Sequence, residues 1–321
     1  MFILGDEFRT DYKFPWVTVS LILLNIAVFG IQCKLGDRFS TGFALVPKEI
    51  STGKDLTKAQ YVKVKVPVQS VQEYRRYGTR FHEVSVKVPH YPGPKPIFLT
   101  LLTSMFLHVN LVHLIGNMWF MAVFARNVEH ALDHGRFLIF YLACGLVGGI
   151  AHVLSQPTSF IPCMGASGAI SGLMGAYVAI YPLNKIKVWL GWMWGVIELP
   201  AIAVVGIWFL FQYLSAFASL DDGPQSGGVA YWDHIGGFLA GVGGIWGMIF
   251  FLKWQQARQP TPVEGPSYED QPAAEHDSHP ETGYSAATGA SPAGRSPLFD
   301  PLADFMPQKG AKSGEIYSRQ R

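Results

Sequence analysis

Six apolar stretches separated by polar turns decide what this chain can become. Trp16 to Gln32, about Leu111 to Val128, Phe137 to Ser155, Ser167 to about Tyr181, Pro200 to Phe217 and Tyr231 to Lys253 are apolar over most of their length. About 20 such residues form a helix long enough to cross a hydrocarbon core ~30 Å thick. Backbone groups in lipid find no water, so spanning segments must close their hydrogen bonds internally. The expected fold is therefore an all-α polytopic membrane protein of six helices over residues 16–253. Composition agrees: 15% of residues are charged, where soluble domains carry about a quarter. Residues 1–15 form a short polar lead on the cytoplasmic side. Residues 254–321 are rich in Pro, Gly, Ser and acids without apolar periodicity, which predicts a disordered cytoplasmic tail.

The connections carry their own signals. Residues 33–96 make a long polar first loop, in which Tyr61 to Val66 and Glu83 to Val88 alternate with period two and predict paired strands. Ile97 to Leu107 is short and apolar and reads as an interfacial lead-in. Val188 to Leu199 also reads as interfacial, with Trp189, Trp192 and Trp194 as anchors. Asp221 to Gly228 is a flexible Gly/Pro loop. Arg126, Arg136, Lys185, Lys187, Lys253 and Arg258 mark one side as cytoplasmic, together with the N-terminus. The first residues lack the pattern of a cleaved signal peptide. No basic cluster interleaved with aromatics offers a nucleic-acid surface. Cys33, Cys144 and Cys163 make neither a disulfide framework nor a zinc pattern, although a Cys33–Cys163 bridge is conceivable.

Polar groups inside lipid are costly and are usually paired or functional. His108, His113 and Asn117 lie in or just before the second span, Ser167 in the fourth and His234 in the sixth. These alternate spans run in one direction, so the residues collect at one depth near the non-cytoplasmic face. Gly168, Gly172 and Gly175 form a small-residue ridge on the fourth span, and Gly237, Gly241 and Gly244 a matching ridge on the sixth. Matched ridges invite a close crossing. Such a crossing brings the Ser167 hydroxyl and the His234 imidazole together as nucleophile and general base. His113 and Asn117 share a helix face four residues apart. With the Ser167 amide at a helix start, they are candidate donors to an oxyanion. His108 lies off that face in a supporting role. Metal ligation is the weaker alternative, since HExxH is absent and no Cys or carboxylate stands at ligand spacing.

These residues resemble the rhomboid family of intramembrane serine proteases. The resemblance covers about Trp16 to Lys253, apart from most of the first loop. It rests on His108-x4-His113-x3-Asn117, Gly165-x-Ser167-Gly168 and His234-x2-Gly237-x3-Gly241. It implies a six-helix rhomboid bundle with a Ser167–His234 dyad lacking an Asp. It also implies an oxyanion hole of His113, Asn117 and the Ser167 amide. The substrates it implies are transmembrane proteins, reached laterally from the bilayer and cut without metal or cofactor. A bacterial inner membrane is the implied location. Glu129 resembles the family's polar lock at the end of span two. Where some members place a Tyr one turn after the nucleophile, this chain has Ser171, so the ring of His234 needs another wall. Asp233 adjoins His234 but points elsewhere on a helix. Trp208 and Phe209 of the fifth span are candidate moving parts. Nothing in the sequence sets an oligomeric state. Two rivals remain: a catalytically inactive rhomboid-like protein that binds membrane clients, and a transporter using the histidines for protons. The first would normally lack the serine or the histidine, and the second would more naturally show internal repeats.

Overall fold

A computed structural model describes residues 2–6, 14–67, 81–189, 195–220 and 229–258. The chain is a multi-pass helical membrane protein. Its long helices are α1 (Trp16–Leu35), then, after two short helices α2 (Asp37–Phe43) and α3 (Pro47–Thr52), α4 (Leu111–Leu132), α5 (His134–Ser155), α6 (Ser167–Ile180), α7 (Ala201–Leu220) and α8 (Tyr231–Ala257). Among the described residues, five of these helices have the length and apolarity to cross a bilayer, α6 being the shorter exception. At 14 residues, α6 spans only about 21 Å at 1.5 Å per residue. It can be short because it does not meet lipid: Gly168 through Tyr177 are all buried. The other helices pack around it, with α8 and α5 lying closest.

The packing of α8 on α6 is backbone against backbone. A methyl group at Gly237 would overlap the carbonyl oxygen of Gly168, and one at Gly241 would overlap that of Gly172. Gly175 stands against the carbonyl of Phe238 in the same way. With no hydrophobic drive between helices in lipid, this close approach supplies the dispersion contact that holds them. On the third side, a Cβ at Gly172 would also meet the Cys144 sulfur at 2.7 Å.

At the end of the bundle away from the start of α6 lies a feature that differs from the sequence expectation. The polar lead contains a strand, β1 (Phe2–Asp6), and the interfacial stretch is a hairpin of β4 (Lys185–Trp189) and β5 (Val196–Pro200), forming one antiparallel sheet in the order β1-β4-β5. Trp189 stands at the end of β4; Trp192, Trp194 and the loop 221–228 lie outside the described residues, as does the tail beyond 258. Asp6 anchors this sheet to the helices. Its carboxylate accepts from Arg126 Nη2 at 2.9 Å, from the Tyr177 hydroxyl at 3.0 Å and from the Asn127 amide. Arg126, Lys185 and Lys187 thus share one end with the N-terminal strand.

The polar lock is formed by Glu129. Its carboxylate accepts the Val17 N–H at 2.9 Å, the Thr18 N–H at 2.8 Å and the Thr18 hydroxyl at 2.6 Å, while His134 Nδ1 lies 2.5 Å away. Pro15 precedes α1 and no side chain of its own caps the helix, so Glu129 satisfies the orphan donors of its first turn from α4. Glu129→Ala should lower stability by about 2 kcal/mol. Thermal unfolding in detergent would read this as a lower midpoint; an unchanged midpoint would remove the lock from the account.

In the first loop, β2 (Gln60–Pro67) pairs antiparallel with β3 (Phe81–Val88), Val62 opposite Val86. The same loop braces the segment before α6. Leu45 and Cys163 exchange backbone hydrogen bonds at 3.0 and 2.7 Å, Lys48 N–H donates to Ser159 at 3.0 Å, and the Ser51 hydroxyl donates to the Pro157 carbonyl at 2.7 Å. Cys33 and Cys163 are free thiols, so the conceivable bridge between them is not formed.

Candidate active site

Ser167 opens α6 directly after a turn that only glycine accommodates well. Gly165 has φ +151°, and a Cβ there would lie 2.9 Å from the His113 ring. Its N–H donates to the Ser104 carbonyl at 3.0 Å, which ties the turn to the helical lead-in Ile97–Phe106. Ser167 Oγ lies 2.8 Å from His234 Nε2. The contact between Gly168 and Gly237 permits this distance, since a side chain at either position would push the two helices apart. His234 sits one turn before Gly237 on α8, and its first-turn amide is tied to Ala230 at 3.2 Å.

His113 is placed by the cap of α4. Asn110 Oδ1 accepts the His113 N–H at 2.8 Å, which fixes the first turn of that helix. The imidazole then stands beside Gly165 and the Ser167 hydroxyl. One turn on, Asn117 is buried and its Nδ2 has no hydrogen-bond partner among the described residues. An unsatisfied buried donor costs about 1–3 kcal/mol, so its presence asks for a ligand or a reacting group. His108 is buried, with its ring edge-on to His113 at 5.4 Å. Its backbone N–H donates to Gln32 at 2.9 Å and its carbonyl accepts from the same amide at 3.2 Å. His108 therefore supports the ring of His113 and is pinned to α1.

Asp233, next to His234, turns the other way. Its carboxylate fills the notch left by Gly148 on α5 and Gly168 on α6 and bonds to the Gly168 amide. Ser171 donates its hydroxyl to the Ser167 carbonyl at 2.7 Å and offers no face to His234. The wall is Trp208 on α7, whose ring lies 6.1 Å from the imidazole with 32° between planes. Phe209 stacks on Phe238 at 4.3 Å beside it.

Two residues that the sequence survey passed over join this group. Gln212 on α7 is buried, and its Oε1 lies 2.8 Å from His234 Nδ1. His152, near the end of α5, is buried and faces the same space. Both were visible as polar residues inside apolar runs, which is the signal that singled out His113 and Asn117. A cavity of about 560 Å³ opens on the site, lined among others by His113, His152, Ser167, Ser215, Ser219 and His234. Cys163 also lines it, but burial, with the Asp233 carboxylate adding to it, pushes its thiol well above the ordinary value. A raised thiol pKa disfavours the thiolate and makes Cys163 a weak rival nucleophile. Among the described residues, no three His, Cys, Asp or Glu side chains come together as a metal-holding group.

Residues 96–251 match the Rhomboid domain family. Rhomboid protease GluP of Bacillus subtilis is 34% identical over 142 residues, which cover 44% of this chain and 25% of that protein. Putative rhomboid protease YdcA of the same organism is 37% identical over 78 residues, 24% of this chain and 39% of its own. Presenilin-associated rhomboid-like protein A, mitochondrial, of Danio rerio is 28% identical over 156 residues, 47% of this chain and 38% of that one. This chain thus spans well under half the length of these relatives. Residues 96–251, which match the Rhomboid domain, contain all of α4, α5, α6 and α7 and α8 through residue 251, and with them every cavity residue named above.

Proposed function

From a chain that belongs to the rhomboid family, we propose an intramembrane serine endopeptidase that cuts membrane-protein substrates in or near their transmembrane segments. The observation that carries the reading is the 2.8 Å contact between Ser167 Oγ and His234 Nε2 at the mouth of a cavity inside an apolar bundle. His234 takes the proton of Ser167, and Oγ attacks the scissile carbonyl carbon. The carbonyl electrons move to oxygen, which rests on the Ser167 amide, His113 and Asn117. His234 then protonates the leaving amine, and water, deprotonated by the same imidazole, releases the acyl group from Ser167. The free Nδ2 of Asn117 supports its part as an oxyanion donor. Hydroxyls and imidazoles lining the cavity give the hydrolytic water a place within an apolar surround. Residence in a bacterial plasma membrane belongs to the same proposal and draws on the Bacillus subtilis relatives.

The purified chain in detergent, given a fluorescent reporter with one transmembrane segment, should release two fragments whose masses place the cut in or beside that segment. Ser167→Ala should release none. Fragments produced equally by that variant would mean a contaminating protease and would remove the enzymatic reading. Reporter binding without cleavage by the unmodified chain would favour the client-binding alternative.

A further inference from the structure

We infer that Gln212 is a positioning residue that sets the tautomer of His234, a role that rests on the protease reading above. α7 is mostly apolar: AIAVVGIWFLFQYLSAFASL carries one amide, the hydroxyls of Tyr213, Ser215 and Ser219, and no charge. That amide is not on the lipid face, where Leu210, Phe211, Tyr213 and Leu214 are exposed, but turned inward and 7% exposed. A buried amide in such a helix is retained against its desolvation cost when it is paired. Here its partner is His234 Nδ1, 2.8 Å from Oε1.

With Oε1 of Gln212 toward Nδ1, the pairing has one consistent proton assignment. An amide oxygen can only accept, so Nδ1 must carry the hydrogen. A neutral imidazole has one N–H, so Nε2 is then left with its lone pair. That lone pair faces the Ser167 hydroxyl at 2.8 Å and can receive its proton. In the opposite tautomer, Nε2–H would point at Ser167 and the imidazole could not act as its base. That tautomer would require the Gln212 amide to turn over and present Nε2 in place of Oε1. Trp208, one turn before Gln212 on the same face of α7, supports the ring plane. A single helix therefore holds both the proton and the orientation of the imidazole, the tasks that a carboxylate performs in triads.

The other titratable neighbours of His234 are His113 from α4 and His152 from α5. Asp233 on its own helix faces the glycine notch, and α6 contributes only Ser167 on this side. No carboxylate competes with Gln212 for Nδ1 among the described residues.

The test measures the rate at which a fluorophosphonate probe labels Ser167 in the full chain in detergent, as a function of pH. Gln212→Met keeps the volume and removes the acceptor. It should slow labelling about 10- to 100-fold at the plateau, a loss of the size seen when the outer partner of a metal-bound histidine is removed. It should also move the acidic limb to lower pH, because the imidazolium loses an acceptor. Gln212→Glu keeps the acceptor and adds charge, so its acidic limb should move to higher pH. A packing role alone would not shift the two variants in opposite directions. Wild-type plateau and an unshifted limb in Gln212→Met would overturn the inference while leaving the dyad standing. If Gln212→Met does not fold, an unshifted limb in Gln212→Glu overturns it by itself. Failure of the unmodified chain to label, or labelling of His234→Ala at the unmodified rate, would instead bring down the protease reading and this inference with it.

Discussion

Gly237→Ala should abolish most of the proposed proteolytic activity although it adds a single methyl group. The new Cβ would overlap the carbonyl oxygen of Gly168. Both atoms belong to helix backbones, so no side-chain rotation relieves the clash and α8 must move away from α6. Overpacking of this kind costs about 1–3 kcal/mol. The functional loss should be larger than the stability loss suggests, because Gly168 adjoins Ser167 and Gly237 follows His234 by one turn. A displacement of about 1 Å between reacting groups can cost 100-fold in rate. Reporter cleavage should therefore fall about 100-fold in protein that remains folded, and Gly241→Ala should act in the same direction through Gly172. Gly243 and Gly247, on the same helix, have nothing within 4 Å of a Cβ. Alanine there should leave cleavage unchanged and hold or raise the unfolding midpoint, since Ala is the better helix former by about 1 kcal/mol. Equal effects at all four positions would mean that helix propensity, not contact with α6, decides the outcome.

His234→Ala should reduce cleavage by about 1000-fold or more, and Ser167→Ala to background. The two losses should not add. Once the hydroxyl is gone there is nothing for the imidazole to deprotonate, so the double variant should equal Ser167→Ala. The measurement is kcat and KM on a transmembrane reporter for the three variants. The loss should fall in kcat, because neither group is needed to hold an intact helix in the cavity. A His234→Ala enzyme with near-normal kcat would assign proton removal to another neighbour, His113 or His152 being the imidazoles at hand.

Much of this arrangement could be read from the residues alone, because the bilayer turns apolar length into a strong signal. Five of the bundle helices follow runs of the length a membrane demands, and α6 is the short one shielded by the others. Gly168, Gly172 and Gly175 with Gly237 and Gly241 announce the α6–α8 contact at 3- and 4-residue spacing, whereas Gly244, expected on the same ridge, lies against Phe140 of α5. What escaped reading escaped for identifiable reasons. β1 is five residues long and pairs with a strand about 180 positions away. Neither Phe2–Asp6 nor Lys185–Trp189 has enough length for a period-two pattern to stand out against the flanking turns. The stretch ending at Leu199 reads as an interfacial segment because tryptophan is common at that depth; its backbone pairing depends on β1, which the local sequence cannot report. Gln212 and His152 are a different matter. They stand in the fifth and third long runs, where the same desolvation argument that selects His113 and Asn117 applies with equal force. They stand on odd-numbered spans, which run opposite to the even-numbered spans that carry the other candidates. Their depth becomes meaningful only when α5 and α7 are seen to bring those residues to the same face from the opposite direction.

In the proposed reaction Ser167 is made nucleophilic by His234. The most direct measurement maps the fluorophosphonate adduct by mass spectrometry on the full chain and on His234→Ala. The expected result is a stoichiometric adduct on the peptide containing Ser167 in the unmodified chain and none above background in the variant over the same time. An adduct on a different serine, or equal modification of Ser167 without His234, would contradict it.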